Sequence, residues 1–124
     1  HADMANIYGP ASEIARLDEI LVRHCETVGR DPLTIERTTG RSVTIIRDTR
    51  EEARRVADAI MAGNGGATVT EVHTIGTAQD VIDRWGPIVR LGYRHLVVGF
   101  PSPYDEETMS RLITEVKPAL EAAG

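Results

Sequence analysis

Cysteine is almost missing from this sequence: Cys25 stands alone among 124 residues. A single cysteine excludes an internal disulfide framework and suits a reducing cytoplasm, the expected location. Aromatic residues are also scarce, at 4%, so the core has to be assembled from Val, Ile, Leu and Ala. No apolar run approaches the roughly 18 residues that a bilayer-spanning helix needs, and the opening residues lack the basic and apolar regions of a signal peptide. A basic excess is absent too. Fourteen Lys and Arg against nineteen Asp and Glu leave a formal charge of −5, which argues against nucleic-acid or anionic-membrane partners. His24, His73 and His95 are too far apart for compact zinc-ligand spacing, so no metal is expected. Neither a P-loop nor a G-x-S-x-G nucleophile elbow occurs.

What is present is an alternation of short β-like runs and amphipathic stretches, read as one domain over residues 1–124. The opening HADMANIYGP reads as the end of a strand running into a loop. From Ala11 to Val28, Ile14, Leu17, Ile20, Leu21 and His24 recur at three- and four-residue steps, predicting a helix with Ser12 as N-cap and Gly29 as its stop. His24 and Cys25 are expected to form a buried structural pair on it. RTTGRSVTII, Arg37 to Ile46, is rich in β-branched residues and predicts one strand. Thr49 and Glu52 have capping-box spacing ahead of a stripe of Ala53, Val56, Ala57 and Ile60. Asn64-Gly65-Gly66 ends that helix, so the glycine-rich GNGGA is read as a terminator, not a phosphate loop.

A third strand is predicted over Val69 to Ile75, and Thr77 with Asp80 opens a third helix. Val81, Ile82, Trp85, Ile88 and Val89 mark its inner face, and Pro87 should kink it. HLVVGF, His95 to Phe100, is a nearly continuous apolar run, the pattern of a parallel strand covered on both faces. Asp105 is placed to cap a last helix through Met109, Leu112, Ile113, Val116 and Leu120.

The resulting order, β-α-β-α-β-α-β-α, argues for an α/β fold with a parallel sheet and right-handed crossovers. Two architectures satisfy it: a small doubly wound sheet, or half of a (β/α)8 barrel, which needs about 250 residues when complete. The first turn, NIYGPAS, lacks the G-x-G-x-x-G pattern of the doubly wound nucleotide-binding folds. Periodicity alone leaves both open.

The segment IGTAQDVIDRWGPIVRLGYRHLVVGFPSPYDEETMSRLITEVKPAL resembles the C-terminal end of luciferase-like flavin- and deazaflavin-dependent oxidoreductases. That family has a strand ending in "GT", a helix, an "LG-aromatic" turn into a strand ending in "GF", and a last helix with an acidic cap. HADMANIYG is similar to the family's mid-barrel strand, and VGRDPLTIERTTGRSVTIIRDTREEARR to the segment after it. The resemblance implies a TIM barrel of which this chain supplies the C-terminal (βα)4 half, with parallel strands in sequential order. It implies redox chemistry with FMN or coenzyme F420, by hydride transfer or oxygen activation on a small-molecule substrate.

In a barrel, ligand-contacting residues cluster at the C-terminal ends of the strands. The candidate cofactor-binding residues are therefore Asp3 and Asn6 after the first strand, Gly76 and Thr77 after the third, and Gly99 and Phe100 after the fourth. Arg47 and Asp48 follow the second strand. Gly76-Thr77 is the phosphate candidate because a helix N-terminus presents unpaired N–H groups; the reading of Thr77 as a plain helix cap is favoured over it. His73 is the one histidine kept as a site candidate. No catalytic acid or base is assigned.

The family draws much of its catalytic apparatus from the first four strands, so the chain is expected to be inactive alone. It is read as part of a longer parent, its open sheet edges completed by the missing N-terminal half or by a second copy in a homodimer. The competing readings are a non-catalytic half-barrel module that dimerises through those edges, and a small flavodoxin-like binding domain.

Overall fold

The computed structural model describes residues 2–70 and 73–124. Its elements alternate as the sequence predicts. β1 (Met4–Asn6) precedes α1 (Ala11–Val28), and a 3-10 turn (Pro32–Thr34) leads into β2 (Glu36–Arg41) and β3 (Thr44–Ile46). Then come α2 (Arg50–Gly63), β4 (Thr74–Gly76), α3 (Ala78–Arg90) and β5 (His95–Val98). The chain closes with α4 (Glu106–Arg111), a π-helical turn (Leu112–Val116) and α5 (Lys117–Ala123). Among the described residues no helix is long and apolar enough to cross a membrane.

All strand pairs are parallel. The predicted strand Arg37–Ile46 is divided in two by Ser42 and Val43, and its halves take different partners. β2 lies between β1 and β5, while β3 pairs with β4. The switch occurs within two residues: the Arg41 carbonyl accepts from the Gly99 N–H, and the Val43 carbonyl accepts from the Thr74 N–H. Sequential strand order is therefore corrected, since β5 neighbours β2 instead of β4. The cause is this break, which passes the ladder to β4 and leaves β2 to bind β5. The described strands form two open sheets of order β1-β2-β5 and β3-β4, not a closed barrel.

The core sits where β3 meets the helices. Successive residues of a strand point to opposite faces, and here both faces are covered. Ile45 packs with Ala53, Ala57 and Ile60 of α2. Ile46 packs with Val81, Trp85 and Val89 of α3 and with Val116 and Leu120 behind them. A third cluster joins Ile14 of α1 to Ile88 and Tyr93.

Several local expectations change. Pro10, not Ser12, is the N-cap of α1. On α1 it is Cys25 that is buried, four residues beyond Leu21, while His24 faces outward, so the two form no buried pair. β5 is not covered on both faces: its residues alternate between exposed and half-buried, with Val97 66% exposed. Ile113, in the π-helical turn, is 64% exposed and lines an open apolar cleft together with Leu112 and Val116 instead of joining the packed core. β4 is Thr74–Gly76; Glu71 and Val72, from the strand predicted over Val69 to Ile75, lie outside the described residues.

Candidate active-site cleft

Parallel strands deliver their C-terminal ends to one side, and there β1, β2 and β5 form a cleft of about 670 Å³, within the usual range for small-molecule sites. Tyr8 and Gly9 reach it from the loop after β1, Arg41 and Ser42 from the end of β2, Val97 and Gly99 from β5, and Arg84 from α3. Tyr8 lies over Gly40, whose missing side chain makes room for the phenol ring. The Asn6 amide donates to the Tyr8 hydroxyl at 2.9 Å and steadies it from β1.

Arg41 is the most constrained group in the cleft. Its Nε donates to the Gly40 carbonyl at 2.8 Å. Its Nη2 donates to the Gly9 carbonyl at 2.9 Å and to the Thr39 hydroxyl at 2.8 Å. All these acceptors are neutral. Arg84 of α3 lines the same cleft, and its Nη1 donates to the His73 carbonyl at 2.7 Å. Desolvation, and then the nearby Arg84 charge, push the Arg41 guanidinium below the ordinary arginine range. Among the described residues no carboxylate, imidazole or thiol lines this cleft. Its described lining residues present an aromatic ring and two guanidiniums, and among them none is a side chain of the kind that exchanges protons near neutrality.

The sequence candidates separate on this map. Gly99 lines the cleft, and Asn6 supports it through Tyr8. Asp3 precedes β1 instead of following it, because β1 begins at Met4. It thus sits at the opposite end of the sheet, its side chain fully exposed and 3.6 Å from Arg30. Phe100 lines a second, mainly apolar cleft of about 520 Å³, between β5, α3 and the last helices.

Gly76 and Thr77 end β4 and begin α3, outside both clefts. Thr77 makes a complete capping box: its hydroxyl accepts from the Asp80 N–H at 3.2 Å, and the Asp80 carboxylate accepts from the Thr77 N–H at 2.9 Å. Arg50 forks onto the same carboxylate, at 2.6 and 2.9 Å. These bonds, with Arg50 the leading cause, hold the Asp80 carboxyl far below its ordinary value. His73 precedes β4; its Nδ1 accepts from the Thr70 N–H at 2.9 Å, and it touches the cleft only through the carbonyl that anchors Arg84.

Two polar groups flank the core. Arg47, at the end of β3, forks onto Asp105 and also meets Glu107. Asp48, next to it, pairs with Arg111 at 2.7 Å. On the other side Asp18 of α1 receives Arg37 at 2.5 Å and the Tyr93 hydroxyl at 3.3 Å, all three largely buried. The sequence reading missed Arg41 and Arg84. Gly40-Arg41-Ser42 interrupts a β-branched run, which was the available sign that a strand ends there and delivers a side chain to the mouth.

No protein-family profile matches the sequence, and no curated protein matches it. Solved structures do. A long-chain alkane monooxygenase (LadA) superposes with a TM-score of 0.68 at 17% identity, over 98% of this chain and 37% of that one. A riboflavin lyase (RcaE), solved with modified FMN and its substrate riboflavin, superposes with a TM-score of 0.64 at 17% identity, over 98% of this chain and 39% of its own. The chain spans less than two fifths of the length of either structure. Its described strands and helices have the luciferase-like fold, over the part of that fold which 124 residues can cover.

Proposed function

We propose that this chain is the C-terminal (βα)4 part of a luciferase-like oxidoreductase, and that the cleft at the ends of β1, β2 and β5 holds one side of its flavin. The observation that carries this reading is the cleft itself. An aromatic ring, three glycines and a fixed cation converge at the strand ends, where α/β-barrel proteins bind their ligands. The residues present fit a flavin phosphate ester: Tyr8 and Val97 offer apolar surface to a ring, and Arg41 offers donors to an anion. FMN is the preferred cofactor, supported by the FMN in the riboflavin lyase structure, with coenzyme F420 as the alternative. Such a cofactor supplies hydride transfer or oxygen activation; this chain supplies position and charge.

The same cleft explains why the chain is expected to bind without turning over. Among the described residues no carboxylate, imidazole or thiol lines it, and one wall is open. Val97 and Tyr8, 66% and 63% exposed, face outward on the side that further βα units would cover in a complete barrel. In this reading the N-terminal half, or a second copy, provides that wall.

The test is a fluorescence titration of FMN, riboflavin and F420 with the 124-residue chain, followed by an assay for reduction by a nicotinamide donor. Saturable binding of a flavin with no turnover is the expected result. Absence of saturable binding by all three would overturn the assignment.

A further inference from the structure

The apolar cleft of about 520 Å³ opens on the other face of β5. Successive strand residues point to opposite sides. Val97 and Gly99 accordingly line the strand-end cleft, while Leu96, Val98 and Phe100 line this one. Trp85 of α3 adds to its walls, as do Leu112, Ile113 and Val116 of the π-helical turn. Its size falls in the range of small-molecule sites, and wide helical turns of this kind recur at functional sites.

The interior of this cleft offers little to a polar ligand. The Trp85 indole N–H donates to the Thr74 hydroxyl at 3.4 Å, and the Tyr93 hydroxyl to Asp18 at 3.3 Å. Both donors are thus engaged elsewhere, and the interior side chains present apolar surface. Among the described lining residues, charge is confined to Arg94, Lys117 and Glu121. Lys117 and Glu121 lie 3.8 Å apart, one turn from each other on α5, and offset each other. Arg94 is the surplus charge. Its guanidinium lies beside Gly124 at the end of α5, where a helix dipole favours a cation. It makes no hydrogen bond or ion pair among the described residues. An apolar cleft with one surplus positive charge at its mouth complements a hydrocarbon body that carries a single anionic head. The volume suits one short chain, not the two long chains of a membrane lipid.

We infer that this cleft binds a free medium-chain carboxylate, its hydrocarbon chain laid against Trp85, Leu96 and Ile113 and its carboxylate at Arg94. The inference goes beyond the flavin reading and does not depend on it, because the site lies on the opposite face of β5.

The test is a calorimetric titration of the 124-residue chain with octanoate, decanoate and decylammonium at neutral pH, below micelle-forming concentrations. Decanoate should bind saturably at one site, about fifteenfold tighter than octanoate for its two extra buried methylenes. It should also bind about tenfold tighter than decylammonium, which has the same chain and the opposite charge. Ile113→Asp should abolish decanoate binding. Arg94→Met should remove the preference for the anion and leave the dependence on chain length. Both positions are exposed, so both variants should keep the wild-type circular dichroism. Absence of saturable decanoate binding overturns the inference, as does binding indifferent to either substitution or an affinity independent of chain length. Concentration-dependent dimerisation in sedimentation, abolished by Ile113→Asp, would give the cleft to a second copy and overturn it too. Decanoate binding in a chain that takes no FMN leaves this site standing and overturns the flavin reading. Displacement of decanoate by FMN would place the acid in the strand-end cleft and overturn this site.

Discussion

Arg47 and Asp105 meet in a planar fork of two 2.9 Å hydrogen bonds, joining the end of β3 to the start of α4 across 58 residues. Both side chains are largely buried, and the Thr108 hydroxyl donates to the same carboxylate. Thr108 also accepts the Ile46 N–H at 2.9 Å, so the β3 edge, the ion pair and α4 form one network. Removing one member strands a charge in a poorly hydrated place. Arg47→Met or Asp105→Ala should each lower unfolding free energy by about 3 kcal/mol. Replacing both with apolar residues should cost less than the sum of the two. Urea unfolding followed by circular dichroism measures all three; additive losses would show the fork to be energetically idle.

The same pair gives the fold an acid limb. Desolvation alone would raise the Asp105 carboxyl, but the bonds from Arg47 and Thr108 outweigh it and hold it below 3.8, the ordinary value. The unfolded chain then takes up this proton at higher pH than the folded chain does. Its contribution is complete above the unfolded value and is lost as pH falls through the folded one. Asp80, held far below its ordinary value by Arg50 and Thr77, acts in the same direction. Stability should therefore fall steeply below about pH 4, and Asp105→Asn should flatten that fall in urea midpoints taken across the acid range.

An alkaline limb is expected from Tyr93. Burial, reinforced by the Asp18 carboxylate, pushes its phenol up to about 12 from 10.0. A folded group that keeps its proton longer than the unfolded one stabilises fully below the unfolded value. That contribution declines as pH rises from 10.0 toward about 12. Phenolate absorbance should show a late step from Tyr93 near its raised value. Tyr93→Phe should remove the late step and soften the alkaline loss of stability.

The Thr77–Asp80 box predicts a smaller effect. Thr77→Ala removes the acceptor for the Asp80 N–H and should lower stability by about 1 kcal/mol. Thr77→Ser keeps the hydroxyl and should restore most of it. Thermal unfolding of the two variants side by side makes the comparison.

Helices were more legible in the sequence than strands, for a physical reason. A helix announces itself through spacing along its own segment: Ala53, Ala57 and Ile60, or Val81, Trp85 and Val89, lie on the faces their periodicity predicts. A strand is defined by partners elsewhere in the chain. Nothing local to Arg37–Ile46 says that Arg41 will hand the ladder to Gly99 and Val43 to Thr74. The mouth of the cleft was misplaced for the same reason. Arg41 was read as mid-strand when it ends β2, and Asp3 was read as following a strand it precedes. Helical spacing puts Ile113 on the apolar face with Leu112 and Val116, and it does lie there; nothing in its spacing says that this face borders an open cleft and leaves Ile113 exposed. The family resemblance supplied what periodicity could not, the choice of a luciferase-like fold over a doubly wound sheet.

The most direct test of the account is amide hydrogen exchange of the 124-residue chain with and without saturating FMN. Bound at the ends of β1, β2 and β5, the flavin should slow exchange in residues 6–10, 39–43 and 97–101 and leave α2 unchanged. Protection confined to residues 109–121, along the apolar cleft of the last helices, or no change anywhere, would contradict it.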